Sequence, residues 1–306
     1  MNFIDFHVDT LYRLFYRAKG EVGDLWKNNC HIDLEREIAS GYTAQLFACF
    51  LDLAEKPKLG SSYEDVLGMI ELFYQQILAD KEKVGFAGNY AQYKENKEQG
   101  KLSAFLSLEE GGVLEGDLKR LNVLYDKGVR VMNLTWNHEN CLAYPHRPAE
   151  FQNKGLKPFG LETVQRMDEL GMVVKHGTRP FMATHSNSRE VRNVSRNLSD
   201  EMIRALADRG GIMGLNFYSD FLSDDPVGRI DDMLRHCRHI MNVGGEQVLG
   251  LGTDFDGMET EIEVNGAGEM PKLAQAMDRA GFSTDQIEGI CYRNAERFFA
   301  RYWGAT

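Results

Sequence analysis

The sequence predicts an α/β fold, a single (β/α)8 or TIM barrel over residues 1–306. Three observations predict it: eight apolar runs of strand length, helical patterns between them, and histidines and acids gathered where the runs stop. The runs are Phe3–Phe6, Thr43–Leu51, Leu102–Leu108, Val129–Leu134, Met172–Val174, Pro180–Ala183, Ile212–Phe217 and Val248–Gly252. Their hydrophobicity is continuous rather than alternating, as in strands buried on both faces of a parallel sheet covered by helices. Between them, Phe159–Leu170 puts Leu161, Val164 and Leu170 on one stripe and stops at Gly171. Ser199 caps the helical stretch "DEMIRALADR", which carries acids in its first turn and ends at Gly210-Gly211. Asp232–Met241 and Gln286–Tyr302 read the same way. With no repeat and no Pro- or Ser-rich linker, one barrel is expected; a doubly wound open sheet is the alternative.

The bulk properties narrow the function classes. A chain of 306 residues suits one barrel domain with insertions, since such barrels run to roughly 250 residues. Apolar residues make up 43% and charged residues 26%, ordinary for a soluble globular protein. A net charge of −11 disfavours nucleic acid and acidic membrane surfaces as partners. The five cysteines, Cys30, Cys49, Cys141, Cys237 and Cys291, are scattered without a Cys-x-x-Cys. That argues against a disulfide framework or thiolate zinc site and suits a reducing cytosol. No apolar run approaches membrane-spanning length and the chain starts on a strand, so a cytoplasmic protein is expected.

In a barrel of this type function belongs at the C-terminal ends of the strands. Strand one ends in His7-Val8-Asp9, strand three in Glu109-Glu110, strand four in Thr135-Trp136 and strand six in His185. Strand seven ends at Tyr218 and strand eight at Asp254-Phe255-Asp256. Two histidines and several carboxylates at one rim suit a hard or borderline cation such as zinc. The spacing His-x-Asp puts both side chains on one side of a strand, as two ligands of one ion require. His31-Ile32-Asp33 has the same spacing but precedes the helix "LEREIASG", so Asp33 reads as a cap and His31 as a surface or capping residue. Of the two glutamates, Glu110 is preferred, because Gly111-Gly112 behind it permits close backbone approach at the rim.

Taken together and in order, "DFHVDT", "LSLEEGG", "GVRVMNLTWNHEN", "PFGLETVQRMDELGM", "ATHSNSREV", "SRNLSDEMI", "NFY" and "GLGTDFDG" resemble the membrane (renal) dipeptidase family. These are zinc peptidases of the amidohydrolase superfamily, and the resemblance runs nearly end to end. It implies a barrel of metallo-dependent hydrolase type that holds two zinc ions and hydrolyses a small substrate, a dipeptide, with tolerance of a D-residue at its C-terminal position. Carried over by motif, His7 and Asp9 would hold the first ion, Glu110 would bridge and His185 would bind the second. Asp254 would handle the proton of the attacking water, and Arg196 would meet the substrate carboxylate, a task suited to its planar fork. Tyr218 would lie near the substrate, although a buried aromatic role is an equal alternative. The family often has a histidine after "LT" on strand four; here Trp136 stands there, and His138 is the candidate replacement. A homodimer is common in such proteins.

One segment departs from the pattern. The family's strand five runs into Asp-x-Ser-His, whose histidine binds the second zinc, and a helix follows before strand six. Here "MVV" passes directly to "KHGTRPFMATHS", so the strand 5–strand 6 crossover is missing from the sequence. Parallel neighbours need a crossover of about a dozen residues or more, and a shorter link predicts a hairpin that would break the barrel. Either roughly 15–20 residues are absent from the sequence or the barrel carries a true deletion. His176 at the seam is a candidate replacement ligand. Two other classes stay open: a degenerate barrel that lacks the second metal and binds a peptide or partner without turnover, and another superfamily reaction such as deamination or lactam hydrolysis.

Overall fold

Eight parallel strands carry the fold: β1 (Phe3–Val8), β2 (Tyr42–Cys49), β3 (Leu102–Leu108), β4 (Val129–Met132), β5 (Val173–Val174), β6 (Met182–Ala183), β7 (Ile212–Leu215) and β8 (Leu249–Leu251). Each coincides with one of the apolar runs. The computed structural model describes residues 1–17, 22–151, 154–174 and 180–304. The ladder runs β5-β4-β3-β2-β1-β8-β7-β6, the cyclic order of a (β/α)8 barrel, and every pairing in it is parallel. A three-residue strand, Val84–Phe86, adds to the start of β3, and Val227–Gly228 pairs with Glu261–Ile262 in the loops that follow β7 and β8. No helix among the described residues is long and apolar enough to cross a membrane.

At the seam no hairpin is formed among the described residues. β5 lies parallel to β4 and β6 parallel to β7, at the two ends of the ladder, with no described pairing between them. Each keeps only two residues, so the return path along the barrel is short. The seven residues between Val174 and Met182 reach at most about 26–29 Å, which suffices to pass such strands but leaves no length for a crossover helix. Residues 175–179, His176 among them, lie outside the described residues.

The barrel floor is closed from below. Ile4, Phe6, Ala44, Leu46, Phe105, Val131, Val173, Met182 and Ile212 form one buried cluster with Phe298, Phe299 and Trp303 of the helix Asn294–Trp303. Phe105 stacks on Trp303 at 5.5 Å between centroids. β8 contributes Gly250, where a Cβ would stand 2.6 Å from the Phe6 ring. A second apolar layer lies between the strands and the outer helices. The C-terminal ends of the strands are therefore the open face.

One buried carboxylate outside that face is expected to make the fold's stability depend on pH. Asp33 caps the helix Leu34–Ser40, accepting from the Arg36 amide at 2.8 Å, as its spacing predicts. One turn on, Glu37 is fully buried and neither carboxylate oxygen has a hydrogen-bond partner. Burial, followed by the nearby carboxylates of Asp5, Asp33 and Asp256, pushes Glu37 well above its usual range. A carboxyl raised by folding contributes no penalty in acid and costs stability as pH rises above its unfolded value towards the raised one. Glu37→Gln is thus expected to stabilise the protein by about 1–3 kcal/mol at pH 8 and to leave it unchanged at pH 4. Denaturant unfolding of both proteins at the two pH values checks this, and an equal difference at both would contradict it.

Candidate active site

The geometry of the open face begins with an irregularity in β1. Strict alternation would put Phe6 and His7 on opposite faces, but the β1–β2 register shifts between Asp5 and Val8. Phe6 stays in the floor cluster while His7 and Asp9 stand together above it, with His7 Nε2 3.4 Å from Asp9 Oδ2. Below them, buried Asp5 accepts from the His7 amide and from the backbone and hydroxyl of Thr253. Burial nonetheless lifts Asp5 to about 6.

β8 closes onto this end of β1. The Asp254 amide donates to the His7 carbonyl and the Asp9 amide to Phe255, while Gly257 leaves room that a Cβ would take within 2.1 Å of Asp9 Oδ2. Asp254 sits at φ 65°, a left-handed turn that sets one carboxylate oxygen 3.8 Å from His7 Nε2. Its other oxygen accepts from Asn216 Nδ2 at 2.9 Å. Asp256, also left-handed, points elsewhere and accepts from Thr10 Oγ1 and the His31 amide. His31 is therefore a support of this turn, packed on the Phe255 ring, rather than a surface residue.

At the end of β3 the structure corrects the sequence reading: Glu109, not Glu110, faces the barrel mouth. Glu109 Oε2 lies 3.1 Å from His7 Nε2 and Oε1 lies 3.5 Å from His185 Nε2. Glu110 turns away and accepts from the Gly112 amide at 2.6 Å, Asn140 Nδ2 at 2.5 Å and the Trp136 amide at 2.9 Å. The glycine that favoured Glu110 has the opposite effect. Its bare backbone captures the Glu110 carboxylate as the cap of a short 3-10 turn. The strand period carries the right signal, since Leu102, Ala104, Leu106 and Leu108 pack in the outer layer while Phe105 is in the floor. Glu109 continues the Phe105 phase.

β6 supplies His185, whose Nδ1 meets Thr184 Oγ1 at 2.8 Å and whose Nε2 meets Arg196 Nη2 at 2.5 Å. The His7 and His185 rings lie 3.8 Å apart. Four strands thus deliver His7, Asp9, Glu109, His185 and Asp254 to one buried point, in two overlapping groups of metal-ligand type: His7, Glu109 and His185, and His7, Asp9 and Asp254. Burial pulls His7 down, but Glu109 and Asp9 outweigh it and hold the imidazole well above its usual value. Burial works against Glu109 too, yet His7 and His185 keep it well below the usual carboxylate range. Asp9 is raised to about 7, by burial against the pull of His7. Burial, with His7 beside it, lowers His185 to about 4. Groups displaced this far, in both directions, at one point mark a functional site.

Residues 1–302 match the family described as membrane dipeptidase, peptidase family M19. The chain belongs to that family. An uncharacterized dipeptidase of Schizosaccharomyces pombe is 26% identical over 331 aligned positions, covering 97% of this chain and 80% of that one. The aligned region is longer than the 306 residues here, so the relative carries extra residues within it. Dipeptidase aclJ of Aspergillus oryzae is 26% identical over 87% of this chain and 68% of its own. The crystal structure of a metallo peptidase from Rhodobacter sphaeroides, liganded with a phosphinate mimic of the dipeptide L-Ala-D-Ala, superposes with a TM-score of 0.89 at 21% identity and 99% coverage of both chains.

Membership in this dipeptidase family makes the chain a hydrolase of peptide bonds and implies a metal, which the residues present fit. His7 Nε2 and Asp9 Oδ1 are buried polar atoms without a hydrogen-bond partner, an arrangement that a cation completes. Above the cluster opens a cavity of about 580 Å³ lined by Trp136, Arg192, Arg196, Tyr218 and Asp254 among others. Of the expected substrate residues, Trp136, Arg196 and Tyr218 line it. His138 does not: it pairs with Asp52 at 2.8 Å, 42% exposed, because the Asp52 carboxylate reaches it from the loop after β2. Arg192, His146 and Asn216 were not legible as site residues. His146 lines the cavity and bonds Ser195 Oγ at 2.9 Å.

Proposed function

We propose that this dipeptidase is zinc-dependent and cleaves dipeptides, including those with a D-residue at the C-terminal position. The convergence of His7, Asp9, Glu109, His185 and Asp254 from four strands carries the reading. When bound, zinc supplies a Lewis acid for the scissile carbonyl and water acidic enough to ionise near neutral pH. His7, Asp9 and Glu109 would hold it, with His185 beside them. Asp254 receives the proton of the attacking water and returns it to the departing amine, held for that task by Asn216 through its second oxygen. Arg196 has five N–H donors and spends one on His185, leaving others for the substrate carboxylate. Tyr218 and Trp136 wall the cavity, whose volume suits a small ligand. The D-residue assignment draws on the L-Ala-D-Ala mimic bound by the Rhodobacter protein. Five free cysteines support a reducing, cytosolic setting.

Comparing L-Ala-D-Ala with its C-terminal amide tests this reading. Loss of a charge-assisted pair with Arg196 is expected to lower kcat/KM on the amide by roughly 10–150-fold. In Arg196→Met the two substrates should converge. A wild type that cleaves neither, or that shows no preference, would contradict the proposal.

A further inference from the structure

We propose that this mouth holds one divalent ion, centred on His7 Nε2 between the facing carboxylates of Asp9 and Glu109, and that the Arg196 guanidinium occupies the position of a second. The inference rests on the reading of the site as a metallopeptidase centre. Both three-donor groups contain His7, and it is Nε2 that faces Asp9, Glu109 and Asp254. An imidazole nitrogen has a single lone pair and serves one ion at a time, so the two groups cannot both be filled. A carboxylate can bridge, and Glu109 has one oxygen towards each histidine. With His7 committed, a second ion would be left with Glu109 Oε1 and His185 Nε2. Among the described residues no other three-donor group offers it a third ligand, and catalytic zinc sites use three protein ligands.

Two further observations choose between the positions. Among the side chains of the two donor groups, the buried atoms without hydrogen-bond partners are His7 Nε2 and Asp9 Oδ1, both from the end of β1. On the β6 side each His185 nitrogen is engaged, Nδ1 by Thr184 and Nε2 by Arg196. Arginine keeps its charge at any pH the fold survives and places it in a fixed plane. The guanidinium therefore holds a fixed positive charge against Nε2 of His185.

Zinc counting on the whole chain tests the proposal. Protein loaded with excess Zn2+ and freed of unbound metal by gel filtration is expected to retain one equivalent by elemental analysis. His185→Ala should keep that equivalent with affinity, by titration calorimetry, within about fivefold of wild type, whereas His7→Ala should bind at least roughly a hundredfold more weakly. Two retained equivalents in wild type, or loss of the ion in His185→Ala, would overturn it. If His176→Ala reduces two equivalents to one, the third ligand comes from 175–179 and the proposal is equally overturned. Assaying the same samples on L-Ala-D-Ala separates the two readings. One equivalent without turnover refutes the dipeptidase assignment alone, and two equivalents with turnover refute the single-ion site alone.

Discussion

Glu109→Gln is expected to lower kcat/KM on a dipeptide by about a thousandfold or more, while Glu110→Gln leaves it within about tenfold. The adjacent side chains have the same chemistry and opposite surroundings. Glu109 stands between two imidazoles at the barrel mouth, so its replacement by a neutral amide removes the charge proposed to hold the metal. Several kcal/mol of transition-state stabilisation depend on that charge, and each 1.4 kcal/mol is roughly a factor of ten. Glu110 instead accepts from three donors around a turn. A glutamine has one acceptor oxygen and turns an N–H2 towards one of those donors, at a cost of about 1–3 kcal/mol in stability. Kinetics and denaturant unfolding of both variants check the pair. A large kinetic loss in Glu110→Gln with unchanged stability would return the metal-holding role to Glu110.

The second large effect is expected at Asp254. Asp254→Asn should reduce kcat by roughly 10²–10⁴-fold with little change in KM, because the amide can occupy the same turn but cannot take a proton. Asn216→Ala, which frees the second Asp254 oxygen, should cost about 10–100-fold with zinc affinity retained. Steady-state kinetics decide this, and a loss confined to KM in Asp254→Asn would remove it from proton transfer.

Much of this was readable from the chain because a parallel barrel writes its strands as continuous apolar runs, and all eight were found within a few residues. What failed were features set by local competition for hydrogen bonds or by contacts across loops. The Gly111-Gly112 pair was read as permitting close backbone approach at the rim beside Glu110, when its free amide captures Glu110 and leaves Glu109 to the mouth. Period-two alternation along Leu102–Leu108 held the answer. The link between β5 and β6 is too short in the sequence for a crossover helix, which left a missing segment or a true deletion open, yet β5 pairs parallel to β4 and β6 parallel to β7 as in an intact barrel. Asn216 had no motif to announce it, since its role comes from a carboxylate on a neighbouring strand. His138 looked available in the sequence and is taken by Asp52.

Anomalous diffraction at the zinc edge, from crystals of the zinc-loaded protein, tests the centre of this account most directly. A peak is expected about 2.0–2.2 Å from His7 Nε2, Asp9 and a Glu109 oxygen. A zinc peak bound away from these three side chains, or none at the barrel mouth, would contradict it.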